Sequence, residues 1–265
     1  MSSEQQLSRQ AVPAYPVSPD SAVHAVEQFR TVGGVHLRGV VTPELAKRVT
    51  TRARDGFVSG RFAAQPYEAS SRTGFSAPGT ELVRGELVTL RETYDYHPLA
   101  PVFVPELHLL HDELTRLVGE VIGWIDRTAE GNRGKKLAEL RQGQNVLRVA
   151  HQLESCAPDR VSFRDHYDFG LFTAFLGGAD GLEGNLSGQW VKIDLAPGDV
   201  FVGAGTVLTK FFPRLRPFHH RVVGGETGRL SAFLFFDPHE DEALPGGGTF
   251  GEFLAGKMEA VRVAD

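Results

Sequence analysis

Residues 166–203 read HYDFGLFTAFLGGADGLEGNLSGQWVKIDLAPGDVFVG, and this stretch decides the fold. Short apolar runs alternate in it with Gly and Pro, the residues that end strands and form turns. The same texture extends from Asn145 to Pro238, and the candidate strands are residues 146–150, 171–176, 190–193, 200–203, 219–223 and 230–236. Strands this short and this closely spaced are typical of a sandwich or barrel, and not of a sheet built from βαβ units.

Helices are predicted on both sides of this β-rich region. Thr42-Pro43-Glu44 begins the first helix, because Thr is a good N-cap, Pro suits the first turn and Glu favours the positive end. We expect this helix to end at Asp55, because Gly56 follows. A second helix begins at Pro105, and residues 249–263 form a terminal one. The apolar positions of the second helix follow three- and four-residue steps, at Leu107, Leu110, Leu114, Leu117, Val118, Val121 and Ile125.

The predicted fold class is therefore mostly β with flanking helices. Residues 1–22 are polar and rich in proline, so we predict a flexible tail there. Residues 23–265 then form a single domain. Its core, about residues 145–238, is a jelly roll (a double-stranded β-helix) with an N-terminal helical region before it and a C-terminal helix after it.

The composition restricts the kind of site that this fold can carry. The chain has one cysteine, ten histidines and a net charge of -5. Cys156 alone forms neither an internal disulfide nor a thiolate cluster, so a bound metal needs imidazole and carboxylate ligands. The acidic balance and the lack of a basic run argue against nucleic acid as a partner. No apolar stretch is long enough to span a membrane and no secretory signal is visible, so we expect a cytoplasmic protein.

His166-Tyr167-Asp168 is the strongest candidate for such a ligand pair. In extended backbone, residues two apart point the same way, so one imidazole and one carboxylate would face a common point. A second histidine would complete the set that holds Fe(II) on one face and leaves positions open. His220 is the best candidate, although His219 precedes it and only one of two adjacent strand residues can face the metal. Taken alone, these residues also fit the surface or core histidines that any histidine-rich chain contains.

Further motifs surround these residues in a fixed order. They are His166-Tyr167-Asp168, Gly181-Leu182, Gly188-Gln189-Trp190-Val191, Pro197-Gly198, His220-Arg221-Val222 and Arg229-Leu230-Ser231. In this order and at this spacing they resemble the C-terminal catalytic region of the iron(II)- and 2-oxoglutarate-dependent dioxygenases. The likeness is greatest to the branch with plant-type hydroxylases, isopenicillin N synthase and the bacterial cephalosporin ring-expanding enzymes. It covers about residues 145–238 well and is fainter or weak elsewhere.

The resemblance implies a role for each candidate residue. His166, Asp168 and His220 would hold Fe(II), since the His-Arg-Val register favours the second histidine of its pair. 2-Oxoglutarate would chelate the metal, and Arg229 and Ser231 would bind its C5 carboxylate. O2 would be the co-substrate, and ascorbate is a candidate reductant. The candidate substrate contacts are Phe169, Arg148 and His151.

The implied activity is oxidation, above all hydroxylation, of a C–H bond in a small-molecule metabolite, with succinate and CO2 formed. Asp168 stands where related halogenases have a small residue, and this favours hydroxylation over halogenation. Residues 147–153 replace the Asn-Tyr-Tyr-Pro motif of plant-type relatives, and the chain is shorter than those relatives. We therefore expect a bacterial enzyme of specialised metabolism, such as antibiotic biosynthesis.

Several alternatives stay open at this point. The same site could carry out desaturation, epimerisation, or oxidative ring formation or expansion. An oxidase that resembles isopenicillin N synthase would use the Arg-x-Ser pair without any 2-oxo acid. A binding module on the same jelly roll would have no activity, because a fold alone does not fix a function. The substrate could also be a protein, and the sequence predicts no oligomeric state.

Overall fold

A computed structural model describes residues 12–128 and 136–261 of the chain. The helices are α1 (Ala22–Thr31), α2 (Pro43–Val58), α3 (Pro105–Thr128), α4 (Thr206–Phe211) and α5 (Phe250–Val261), with 3-10 turns at Pro19–Ser21 and Leu137–Glu139. The strands are β1 (Ala14–Pro16), β2 (Gly34–Arg38), β3 (Gly74–Ser76), β4 (Leu82–Val83), β5 (Glu86–Leu87), β6 (Arg91–Tyr96), β7 (Val146–Gln152), β8 (Cys156–His166), β9 (Phe172–Leu176), β10 (Leu182–Leu186), β11 (Gln189–Lys192), β12 (Val200–Ala204), β13 (His220–Gly225) and β14 (Leu230–Phe236).

The strands form a major sheet, a minor sheet and a hairpin. The major sheet has the order β1-β2-β12-β9-β14-β7-β6-β3, the minor sheet has the order β11-β10-β13-β8, and β4 pairs with β5. Pairing is antiparallel except between β1 and β2. Both sheets contribute side chains to the lining of one cavity. This is the predicted jelly roll, which the structure confirms.

Helices α1, α2 and α3 pack together beside the major sheet, and α3 contacts β14, β7 and β9. All seven predicted apolar positions of α3 are buried. Burial of each such side chain contributes about 1.5–3 kcal/mol, so this helix is held mainly by its apolar face. At the start of α2, the predicted N-cap is present, because the Thr42 hydroxyl accepts a hydrogen bond from the N–H of Leu45 at 3.2 Å. No helix in the described residues is long and apolar enough to cross a membrane.

The end of α2 differs from the prediction. The helix continues past Gly56 to Val58, because Gly56 is a packing residue and not a stop signal. A Cβ atom at this position would collide with the ring of Phe62, whose side chain is fully buried. The glycine therefore gives the aromatic ring room to pack against the helix backbone.

The predicted tail also differs from the structure where it is described. Ala14–Pro16 pairs in parallel with β2, and the Gln28 side-chain amide donates to the carbonyl of Pro13 at 2.6 Å. Ala14–Pro16 is thus part of the major sheet, while residues 1–11 lie outside the described part. The terminal helix is present as Phe250–Val261, and residues 262–263 of the predicted span lie outside the described residues.

Candidate active site

Three predicted ligands meet where β8 and β13 lie side by side. His166 ends β8, Asp168 follows two residues later, and His220 begins β13 as the register partner of His166. Their ligand atoms lie within 4.8 Å of one another. One carboxylate oxygen of Asp168 is 3.5 Å from Nε2 of His166, and the other is 3.8 Å from Nε2 of His220. Among the described residues, no other group of histidine, cysteine and acidic side chains forms such a cluster.

Both histidines are oriented by backbone carbonyls. Nδ1 of His166 is 2.9 Å from the carbonyl of Arg164, and Nδ1 of His220 is 3.1 Å from the carbonyl of Phe218. A proton on each Nδ1 would donate to these oxygens and leave the Nε2 lone pair free for a metal. Burial, with His166 nearby, lowers the pKa of His220 to about 4, so this imidazole is neutral at pH 7.

Asp168 is held in its charged form. Burial by itself would raise its pKa, but His220 and His166 beside it hold the pKa of the carboxyl well below its usual range. The hydroxyl of Thr173 on β9 adds to this effect by donating to the carboxylate at 2.6 Å. The site therefore presents two imidazole nitrogens and one carboxylate, the ligand set predicted from the sequence.

His219 directly precedes β13, and its side chain points away from the three ligands, as the alternation of adjacent residues in extended backbone predicts. Its Nε2 is 2.9 Å from the carboxylate of Asp165, and its ring stacks on Tyr167 with a centroid distance of 4.5 Å. These contacts lie away from the three ligands. The structure therefore places His220, and not His219, at the cluster.

A cavity of about 210 Å³ opens beside the three ligands, between the two sheets. The apolar residues that line it include Leu82, Val83, Val146, Phe163, Phe169, Phe175, Leu182, Val222, Phe233, Phe235, Leu254 and Met258. Its polar lining includes Arg72, Glu81, Arg91, Asp95, Arg148, Gln152, Ser162, Arg229, Ser231 and Asp237. The hairpin β4–β5 and the helix α5 thus add walls to a cavity whose frame is the jelly roll.

Arg229 and Ser231, the predicted contacts of 2-oxoglutarate, both line this cavity. The Arg229 guanidinium donates to the carbonyls of Asp180 at 2.8 Å and Gly224 at 3.4 Å, and no carboxylate of the described residues pairs with it. Gly181 makes room for it, because a Cβ there would lie 2.9 Å from Nη1. Burial lowers the pKa of Arg229, and its Nε finds no partner within the described chain. A partly buried guanidinium without an anion is suited to bind one.

Gln152 is a cavity residue that the sequence reasoning missed. Its side-chain oxygen is 3.5 Å from Nη2 of Arg229, and its backbone N–H donates to the Arg229 carbonyl at 2.9 Å. The predicted strand ended at residue 150, two residues short of it. The signal that could have found Gln152 is its even spacing from Arg148, since both then face the same side of one strand.

The three predicted substrate contacts have different positions. Phe169 lines the cavity. Arg148 lines it too, but its guanidinium donates to both carboxylate oxygens of Asp95, at 2.6 and 2.7 Å, and to Glu81 at 2.9 Å. Burial would lower the pKa of Arg148, but these two carboxylates raise it above its usual value. Most of its donors are thus used within the protein.

His151 is a correction, because it points away from the cavity. Its Nδ1 lies 2.8 Å from the carboxylate of Glu92, and its ring stacks on Phe57 of α2 with a centroid distance of 5.1 Å. Alternate residues of β7 face opposite sides, so the neighbours of His151 line the cavity while His151 packs against the helix layer.

Two further arginines line the cavity. Arg72 donates to the carboxylate of Asp237 at 2.6 Å. Arg91 lies over the ring of Phe163, with its guanidinium carbon 3.6 Å from the ring centroid. Arg164, by contrast, pairs with Glu86 of the hairpin and does not line the cavity.

Comparisons with solved structures locate this architecture among known proteins. A protein from Shewanella oneidensis described as an oxygenase is 20% identical and superposes with a TM-score of 0.79 over 94% of this chain and 98% of that one. A full-length Neurospora crassa protein in complex with alpha-ketoglutarate (2-oxoglutarate) is 18% identical, with a TM-score of 0.76 over 96% and 98% of the two chains. A Caulobacter crescentus protein described as belonging to the 2OG-Fe(II) oxygenase family is 19% identical, with a TM-score of 0.71 over 92% and 98%.

No protein-family model matches the chain, and no curated protein matches it. The structural matches span almost the whole length of this chain and of the proteins it resembles. The resemblance predicted from residues 145–238 is thus confirmed at the level of the fold, which this chain shares with structures of 2-oxoglutarate- and Fe(II)-dependent oxygenases.

Proposed function

We propose that the chain is an Fe(II)- and 2-oxoglutarate-dependent oxygenase that oxidises, and most simply hydroxylates, a small molecule. The observation that carries this proposal is the content of one cavity. Two imidazoles and a carboxylate converge within 4.8 Å of one another, and the same cavity holds Arg229, which has no carboxylate partner among the described residues. A metal at the first site and a dicarboxylate that reaches the second would satisfy both groups.

The residues present fit both cofactors. Neutral imidazole nitrogens and a carboxylate are the ligand set of non-haem Fe(II) sites that keep positions open. With the aspartate charged, the loaded metal site would carry one net positive charge, which suits a chelating 2-oxo acid. At the other end, the C5 carboxylate would receive hydrogen bonds from Arg229 and from the hydroxyl of Ser231.

Fe(II), when bound, would supply the activation of O2 that is coupled to oxidative decarboxylation of 2-oxoglutarate to succinate. The protein's own part is positioning. His166 and His220 would offer Nε2, because backbone carbonyls occupy Nδ1. Thr173 holds the carboxylate of Asp168 through its hydroxyl. Much of the cavity wall is aromatic and aliphatic, and such walls would limit the access of water to the reacting groups, which favours oxidation of the substrate over side reactions.

The size of the cavity supports a small molecule as the substrate. A volume of about 210 Å³ limits the organic groups that fit within it. The Neurospora crassa protein that shares the fold also has a structure with alpha-ketoglutarate and thymine. Hydroxylation is our proposal, and desaturation or ring chemistry would use the same residues. Specialised metabolism, including antibiotic biosynthesis, and a cytoplasmic location stay predictions from the sequence.

The test is turnover of 2-oxoglutarate by the purified chain. We expect protein reconstituted with Fe(II) to form succinate and CO2 from 2-oxoglutarate and O2, slowly alone and faster with a substrate. Asp168→Ala should abolish this. Asp194→Ala removes an exposed carboxylate that contacts Lys192, and should leave it unchanged. Iron-dependent O2 consumption without succinate would instead favour an oxidase of the isopenicillin N synthase kind. Full turnover by Asp168→Ala would refute the ligand assignment.

A further inference from the structure

Arg91 lies in the same row of the major sheet as Arg229. Arg91 on β6 is the register partner of Gln152 on β7, and the Gln152 N–H donates to the carbonyl of Arg229 next to β14. Adjacent strands lie about 4.8 Å apart, so the two arginine backbones are separated by about 10 Å, with Gln152 between them. All three side chains line the cavity.

Both guanidinium groups reach across to neighbouring strands of the minor sheet. Arg229 contacts the carbonyl of Gly224 on β13, and Arg91 packs over Phe163 on β8. Phe163 is itself the register partner of Val222 on β13. Both arginines therefore border the part of the cavity that β8 and β13 line, and Gln152 lies between them in the major sheet.

Of the cavity arginines other than Arg229, which are Arg72, Arg91 and Arg148, Arg91 makes the weakest contact with a carboxylate. Arg148 and Arg72 each make short hydrogen bonds to a carboxylate, as described above. The carboxylate contact of Arg91 is to Glu81 at 3.7 Å, and the other oxygen of Glu81 is 2.9 Å from Arg148. Nε of Arg91 is buried and has no hydrogen-bond partner among the described residues. Because its face is covered by Phe163, the N–H groups at its edge are the ones left to bind a ligand.

A buried cation with weak pairing is destabilising unless an anion joins it. Burial lowers the pKa of Arg91 to about 10, in spite of Glu81. The exposed fraction of its side chain is only 12%. A carboxylate that enters this part of the cavity would offset the desolvation of Arg91 and Arg229 together.

We propose that Arg91 is a second binding residue for the C5 carboxylate of 2-oxoglutarate, across Gln152 from Arg229. This inference rests on the proposed function, because it assumes that 2-oxoglutarate binds with its C5 carboxylate at Arg229. Arg91 is a binding residue here and takes no part in the chemical step.

The test compares two ligands that differ at one end. Fe(II)-loaded protein, kept anaerobic, is titrated by calorimetry with 2-oxoglutarate and with 2-oxopentanoate, which has the same chain length and no distal carboxylate. Arg91→Gln should weaken 2-oxoglutarate binding about tenfold, the size of one charge-assisted hydrogen bond. It should leave 2-oxopentanoate binding unchanged. Arg91→Lys keeps the charge and should recover part of the loss. Arg52→Gln removes an exposed arginine of α2 that contacts Asp55 and Glu106, and it should change neither.

Several results would overturn the inference. If Arg91→Gln binds 2-oxoglutarate as well as the unaltered protein does, Arg91 does not contact the C5 carboxylate. If it weakens both ligands equally, its effect is structural. The variant Arg229→Gln distinguishes an error about Arg91 from an error about the proposed function. If Arg229→Gln loses 2-oxoglutarate binding and Arg91→Gln keeps it, the role of Arg91 is refuted and the proposed function stands. If the unaltered protein does not bind 2-oxoglutarate, both the role of Arg91 and the proposed function are refuted.

Discussion

Replacement of Thr173 by Val tests whether one hydroxyl helps to hold the metal. Thr173 is buried on β9, and its Oγ1 donates to a carboxylate oxygen of Asp168 at 2.6 Å. Valine keeps the branched shape and removes only the donor. A hydrogen bond to a charged group contributes about 1.5–3 kcal/mol, and loss of a group that orients a metal ligand costs about 10- to 100-fold in affinity. We therefore expect Thr173→Val to weaken Fe(II) binding by about 10- to 100-fold.

The assay is an anaerobic Fe(II) titration against a competing chelator, with thermal unfolding of the metal-free protein as a check on the fold. Thr51→Val is the control, because the Thr51 hydroxyl donates to the carbonyl of Lys47 on the exposed side of α2. An Fe(II) affinity equal to that of the unaltered protein would refute the reasoning. It would mean that the carboxylate is positioned by the backbone around Asp168, and not by the hydroxyl of Thr173.

Three further predictions concern acid stability, packing and the ligand register. Burial lowers the pKa of His220 from 6.5 to about 4, so the unfolded chain binds this proton first. The free energy of unfolding of the metal-free protein should therefore fall, by up to about 3 kcal/mol, as the pH drops from about 6.5 to about 4. Denaturant unfolding measured between these pH values tests this prediction. If His220→Gln shows the same dependence of the free energy of unfolding on pH, the prediction is contradicted. Gly56→Ala should destabilise the protein by about 1–3 kcal/mol through the clash with Phe62. Gly119→Ala, on an open face of α3, should stabilise it by about 0.5–1 kcal/mol in the same thermal melts, and equal effects of both would be evidence against the packing argument. His219→Gln should keep stoichiometric Fe(II) binding while His220→Gln loses it, and the reverse result would exchange the two assignments.

Local rules were enough to predict the parts of the fold that depend on neighbours in the chain. The three- and four-residue spacing predicted α3, since every position it marked is buried. The Thr42 cap predicted where α2 begins. The end of α2 was missed because Gly56 is contacted by Phe62, and a contact formed by the fold leaves no mark in the helix sequence itself.

The strands β6 and β8 were missed for a different reason. β6 contains Arg91 and Asp95, and charged residues argue against a buried strand in a sequence. Asp95 is nevertheless buried, because Arg148 pairs with it from a position 53 residues further along the chain. β8 is mostly exposed, so it lacks the apolar run that marks the other strands. Both strands depend on long-range pairing, which periodicity does not reveal.

At the site, too, some features followed from local sequence rules and others did not. The spacing of His166 and Asp168 predicted a shared direction, and the structure places both in one cluster with His220. Arg148 and His151 were both predicted to contact the substrate, but these two predictions are inconsistent with each other. Residues three apart on one strand face opposite sides, so at most one of them could reach the cavity. The alternation rule alone would have kept Arg148 and excluded His151.

The pairing of charges inside the cavity separates structural from functional groups. Buried ionic groups are costly unless a partner offsets the loss of water, and the fold supplies such partners for most of them. Arg148 is bound by Asp95 and Glu81, and Arg72 by Asp237. Arg229 has only carbonyl and amide partners among the described residues, and Arg91 has one long carboxylate contact. These two arginines lie on either side of Gln152 in the lining of the cavity, and Arg91 shares the carboxylate of Glu81 with Arg148. Groups that a fold buries without satisfying are the ones expected to bind ligands, and here they predict an anion in the part of the cavity that Arg229 and Arg91 border.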